Sequence, residues 1–179
     1  MTDASAIETP RSDAAAPSNG AGLILDRARE ARDAGDHELA LSLLEQHVSN
    51  EPGDCAGWNE LGALRFQTGD VAAGIHCLRK ALLIEPTNPT VIENLIEMLV
   101  AVEQYDAAAN VAFQWTQSAP RSADAWVAWA RLNLMADNAP VATDALQTAL
   151  DLDPHNRHIR VALCNLTDAQ QTADSENDK

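Results

Sequence analysis

The side chains best suited to chemistry in this sequence are its histidines, cysteines and carboxylates, and they are thinly spread. His37, His47, His76, His155 and His158 are scattered, and the last two sit near the acids Asp151 and Asp153. Carboxylate and imidazole together are a donor set that zinc accepts. The plainer reading is that Asp153-Pro154 closes a repeat and the two histidines open the helix after it. Cys55, Cys77 and Cys164 are odd in number, far apart and without Cys-x-x-Cys spacing, which describes reduced thiols in a cytoplasmic protein. Cys55 falls near a helix N-terminus, a place that lowers a thiol pKa, yet no basic residue stands beside it in sequence. Nucleophile elbows, Gly-rich phosphate loops and His-Glu-x-x-His pairs are missing from the sequence. The expectation is a protein that is not an enzyme, with no catalytic residue, no metal and no cofactor.

The bulk properties narrow the partners. The chain has 179 residues, 27 acidic and 12 basic side chains, and a formal charge of −15. That length suits one domain, the usual span being about 100–200 residues. The acidity argues against nucleic acid, whose phosphates need Lys and Arg to displace counterions. It argues equally against an anionic membrane surface. Residues 1–20 are small or polar apart from Met1 and Ile7, with no basic start and apolar run, so they read as a disordered tail rather than a signal peptide. Residues 167–179 read as a disordered acidic tail. Glu97 interrupts the apolar run Leu95-Ile96-Met98-Leu99, so membrane insertion is not expected.

A fixed period organises the rest. Pro52, Pro86, Pro120 and Pro154 are spaced by thirty-four residues each time, the signature of a stacked array. Two positions beyond each proline stands Asp54, Asn88, Ser122 or Asn156, all good helix N-caps. Mid-unit breaks fall at Gly35-Asp36, Gly69-Asp70, Glu103-Gln104 and Asp137-Asn138. Each unit is therefore a helix, a turn and a second helix. The columns agree: Ile24, Trp58, Ile92 and Trp126 recur in the first helix, and Ala40, Gly74, Ala108 and Ala142 in the second. The latter are small enough for two backbones to approach closely. One helical pair cannot bury such stripes alone, so neighbouring pairs must stack. After Pro154 an amphipathic helix over 157–166, with Ile159, Ala162, Leu163 and Leu166 on one stripe, closes the last face.

These residues resemble the tetratricopeptide repeat (TPR) family. The second unit carries its pattern best, in Trp58, Leu61, Gly62, Gly69, Gly74, Leu78, Ala81 and Pro86. The resemblance covers residues 21–154 in four units, phased 21–54, 55–88, 89–122 and 123–156. Departures are Ala31, Arg65, Leu99 and Asn133 where the family has an aromatic, Arg27 where leucine is usual, and the exchange of volume between Ala112 and Trp115. The resemblance implies an all-α fold, a right-handed α-solenoid of helix-turn-helix repeats with a C-terminal capping helix. It implies a protein-interaction module or scaffold that holds a partner peptide or protein in its concave groove, lined by the first helices.

Carried onto this chain, the groove positions are Leu25, Arg29, Arg32 and Asp33, then Asn59, Ala63, Phe66 and Gln67. They continue as Thr90, Glu93, Glu97 and Val100, then Asp124, Val127, Arg131, Leu134 and Met135. The site expected from them is Arg29, Arg32, Asn59, Phe66, Gln67, Glu93, Glu97, Val127, Arg131, Leu134 and Met135. Phe66, Leu134 and Met135 lie off the main core stripe, which makes them interface candidates. The charge is split: Arg29 and Arg32 at one end, Glu93 and Glu97 in the middle, Arg131 beyond. Family members that clamp the acidic C-termini of heat-shock chaperones use Lys, Asn and Arg where this chain has Leu25, Arg29, Glu60, Thr90 and Asn94, so that role is not expected. Two alternatives remain: a type III secretion chaperone, usually of three such units, or a non-catalytic regulatory subunit of an enzyme complex. The first unit has no cap before it, so self-association through its open face is a further expectation.

Overall fold

The computed structural model describes residues 19–177, and these form nine α-helices and no strand. They are α1 (Asn19–Asp33), α2 (His37–Asn50), α3 (Cys55–Gln67), α4 (Val71–Ile84), α5 (Pro89–Ala101), α6 (Tyr105–Ser118), α7 (Ala123–Met135), α8 (Ala139–Leu152) and α9 (Arg157–Asn177). The expected tail segments 1–18 and 178–179 lie outside the described residues.

Helix starts follow from their caps. Asp54, Asn88 and Ser122 accept from the backbone N–H of Ala56, Val91 and Ala125 at 3.0, 3.3 and 3.3 Å. Asn156 does the same for His158 and Ile159. Helix ends follow from one turn repeated four times. The N–H of Asp36, Asp70, Gln104 and Asn138 donates to the carbonyl of Ala31, Arg65, Leu99 and Asn133 at 2.8–2.9 Å. This is the Schellman closure, which needs a left-handed residue just before the donor. Gly35 and Gly69 supply it at φ 81° and 90°, whereas Glu103 and Asp137 are forced into it at 60° and 56°.

Each helix packs on its chain neighbours, and α5 also touches α3 and α7, so the odd-numbered helices form one wall of an α-solenoid. Within a pair the backbones come close. A Cβ on Gly74 would stand 2.9 Å from the Gly62 carbonyl oxygen, and one on Gly62 would stand 3.1 Å from that of Gly74. Ala40, Ala108 and Ala142, the same column in the other pairs, are fully buried. Between units a second bond recurs. The indole N–H of Trp58 donates to the Pro52 carbonyl and that of Trp126 to the Pro120 carbonyl, both at 3.0 Å. Thirty-four residues after Trp126, the Arg160 guanidinium donates to the Pro154 carbonyl. α9 is therefore seated as the first helix of another unit.

The C-terminal helix departs from expectation. It does not end at 166 but runs to Asn177, so most of the segment read as an acidic tail is helical. The sequence from Thr167 to Asn177 contains neither Pro nor Gly to stop it. Its buried stripe is also narrower than expected: Ile159 is buried and Leu163 and Leu166 are half-buried, while Ala162 is exposed. At the other end, α1 begins two residues before the expected unit boundary.

A left-handed non-glycine residue costs about 1–2 kcal/mol, part of which glycine gives back as unfolded-chain entropy. Glu103→Gly should therefore raise stability in urea denaturation by about 0.5–1 kcal/mol. Gly69→Ala, at the equivalent turn, should lower it.

Candidate functional site

The odd-helix wall carries the expected site residues, but tertiary pairing sorts them into unlike groups. Arg29 on α1 donates through Nε and Nη2 to Oε1 of Glu60 on α3, at 2.8 and 2.6 Å. Arg32 Nη1 lies 3.6 Å from the other Glu60 oxygen. The two arginines thus clasp one half-buried carboxylate and also meet Asp26 and Asp33. The hydrogen bond to Glu60 is the main reason the Arg29 guanidinium holds its proton even more firmly than usual. The positive end of the expected charge split is consequently neutralised within the fold. Next along the wall, Asn94 on α5 donates to Asn59 on α3 at 2.9 Å, an amide rung joining neighbouring units.

Glu93, Glu97, Val127 and Arg131 converge between α5 and α7. With Asp124 and Ala128 they line a hollow of 240 Å³. A second hollow of 220 Å³ adjoins it, lined by Glu97, Val100, Ala101, Arg131 and Met135. Among the described residues, no ion pair within 4.0 Å engages Glu93, Glu97 or Asp124. Partial burial pushes the Glu93 carboxyl above its ordinary range; Asp124 and Glu97 add to this and Arg131 opposes it. A carboxylate so placed gains most from an incoming cation.

Phe66 belongs to neither hollow. It is half-buried and packs against the central core cluster, so it has a core duty that its position off the main stripe did not predict. Leu25 is likewise buried, among Ala28, Leu43 and Leu44. Gln67 is exposed at the end of α3. Leu134 and Met135 are 43% and 51% exposed at the end of α7, although only Met135 lines a hollow. At the first unit Leu23 is 61% exposed on α1.

The chemistry-bearing residues are engaged elsewhere. Among the described residues no three of His, Cys, Asp and Glu converge where a metal ion could sit. Asp151 accepts from Gln147 and Asp153 from Asn156. His47 is buried, with Nε2 2.6 Å from Asp54 Oδ2, while the other Asp54 oxygen caps α3. A His–Asp pair is two of the three members of a proton-transfer triad. Here it closes the corner between α2 and α3, its ring so near Gly57 that a Cβ there would lie 2.5 Å away. The Cys55 thiol is pushed up rather than down, by burial first and then by Glu85 and Asp54; burial raises Cys77 as well. Among the described residues no helix is long and apolar enough to cross a membrane.

Glu60 is the residue whose role sequence reasoning missed, since it stands only as an acid at a clamp position until its neighbours across the unit boundary are known. Its signal was the thirty-one-residue offset from Arg29, close to one repeat.

No protein-family model matches the chain, and no curated protein matches it. Solved structures do. MamA from Desulfovibrio magneticus RS-1 is 20% identical, with 91% of this chain and 92% of that one covered and a TM-score of 0.68. A tetratricopeptide repeat protein from Parabacteroides merdae is 18% identical over 88% of this chain and 62% of that one, TM-score 0.74. A chain of the APC/C hetero-tetramer Cut9-Hcn1 is 21% identical over 80% of this chain and 29% of that one, TM-score 0.59. At these identities the likeness is one of fold.

Two measurements check this description. The raised carboxyl of Glu93 means that the folded state favours its protonated form, so the protein loses stability as pH climbs from below the ordinary glutamate pKa of about 4.3 through the higher folded value. Glu93→Gln should leave urea stability unchanged in acid and raise it at neutral pH; an equal effect at both would contradict the assignment. Phe66→Ala should cost about 1–3 kcal/mol, less than for a fully buried phenylalanine.

Proposed function

We propose that this chain, an α-solenoid with the tetratricopeptide-repeat fold, is a cytoplasmic protein-interaction module that holds a segment of a partner protein along its odd-helix wall. The observation that carries the reading is the pair of adjoining hollows between α5 and α7. One presents Glu93, Glu97 and Asp124, and the other presents Val100 and Met135. A segment with a lysine or arginine for the first hollow and an apolar side chain for the second fits this arrangement. Charge guides encounter and register, while the desolvated apolar contact carries more of the affinity. Arg29 and Arg32, held by Glu60, set the end of the wall rather than recruit an acidic group. The three free thiols, Cys55, Cys77 and Cys164, accord with a reducing compartment. A secretion chaperone or a regulatory subunit would use the same wall, and the identity of the partner separates them.

The test is affinity capture from the native cell with mass spectrometry, followed by kinetics on the recovered partner. Glu93→Lys combined with Glu97→Lys should slow association and reduce its dependence on salt, and Met135→Asp should speed dissociation. If all three substitutions leave the kinetics unchanged, the partner does not lie between α5 and α7.

A further inference from the structure

The even-helix side of the stack holds two hollows in equivalent places. The one between α2 and α4 measures 320 Å³, and the one between α4 and α6 measures 640 Å³. Adding thirty-four to six of the nine residues lining the first gives residues lining the second: among them Glu45 becomes Arg79, Ser49 becomes Leu83, Leu61 becomes Leu95 and Cys77 becomes Val111. What differs is how each gap is bridged. In the first, Arg65 on α3 reaches Glu45 on α2 and also Asp70, so an ion pair crosses it. Two repeats after Glu45 stands Phe113, whose ring meets that of Trp129 at 5.3 Å, so an aromatic contact crosses the third gap. In the middle gap the acid has become Arg79, and the place of Arg65 is taken by Leu99, which is fully buried. Among the described residues no ion pair engages Arg79. The gap keeps an apolar floor of Ile92, Leu95 and Trp115, and Leu83 stands 83% exposed at its rim.

We propose that the α4–α6 groove docks an amphipathic helix of another protein, with large apolar side chains on the floor and a carboxylate paired with Arg79. The argument is charge complementarity. The one charged residue lining the groove is a cation, in a chain whose formal charge is −15, at the position where the preceding gap is closed by an ion pair. The incoming carboxylate replaces the bridge that Leu99 cannot make. A volume of 640 Å³ lies within the range of about 300–1,000 Å³ for concave sites that bury a ligand. A helix laid in an apolar groove anchors through side chains three and four positions apart. The proposal is independent of the odd-helix wall, which faces a different surface with the opposite charge.

The experiment uses the full-length protein and two fluorescein-labelled synthetic helical peptides. One has leucines three and four positions apart flanked by glutamates, and its twin has lysines for the glutamates. Fluorescence anisotropy on wild type and on Leu83→Asp is compared, so that the difference isolates this groove from basic-peptide binding at Glu93 and Glu97. The groove-dependent signal should favour the glutamate peptide by at least about fivefold, against the net charge of the chain. Arg79→Glu should reverse the preference, and Leu83→Asp should weaken the glutamate peptide about tenfold while leaving the thermal melt unchanged, since the side chain is exposed. A preference for the lysine twin in the groove-dependent signal overturns the proposal, as does an Arg79→Glu variant that binds like wild type. If sedimentation shows wild-type self-association that Leu83→Asp abolishes, a second copy fills the groove and the proposal fails.

Discussion

The structure depends on how near the two helices of each pair can come. At Gly62 and Gly74 the backbones are so close that an added Cβ would meet a carbonyl oxygen at about 3 Å, and alanines at the same column elsewhere are fully buried. Such contact gathers many weak dispersion attractions over a short length of helix. It also fixes the crossing within each pair, which turns the pair into a rigid block. Stacking identical blocks then sets the spacing between first helices and between second helices. The grooves on both sides follow from that spacing, and the side chains at the non-column positions decide whether each groove is open or closed.

The fold was legible in the sequence because its signals are local and repeated. Proline spacing, caps and small-residue columns each recur with the same phase, so a misreading at one unit is corrected by the others. The turns at Glu103 and Asp137 illustrate this, since their glutamate and aspartate adopt the backbone of Gly35 and Gly69 under the demand of the Schellman closure. The length of α9 was misjudged because polar composition was taken for disorder where no helix breaker occurs. The candidate site was less legible. Glu60 neutralises Arg29 and Arg32 from a neighbouring unit, and Phe66 turns into the central core, and neither follows from position within a repeat. Glu93, Glu97, Arg131 and Met135 did converge, since residues at equivalent positions on adjacent first helices must face one another.

The two faces illustrate how a repeat scaffold separates folding from recognition. Buried columns are nearly uniform along the stack, whereas the bridging contacts differ from gap to gap: Glu45 with Arg65 at the first, Phe113 with Trp129 at the third, and between them Arg79 with no ion pair among the described residues. A change at one gap leaves the blocks on either side intact, because each block is held by its own small-residue contact. Charge can therefore be distributed by unit. The odd-helix wall is acidic at α5 and α7 and internally neutralised at α1 and α3.

Contacts that run chiefly within a unit and between adjacent units also determine the mechanical behaviour of the chain. Tension applied at the two ends does not shear the whole stack at once, because among the described residues no element packs extensively against a unit that is not its neighbour. The load falls first on α1, whose own buried side chains among the described residues are Leu25, Ala28 and Ala31, and on α9, which is packed against α8 and anchored through Ile159 and Arg160. The cluster spanning α3 to α7, with Leu78, Ile96, Leu99 and Trp115, is reached last. The molecule behaves as a graded spring that yields inward from both ends and keeps the α4–α7 segment, with both of its grooves, as its final folded element.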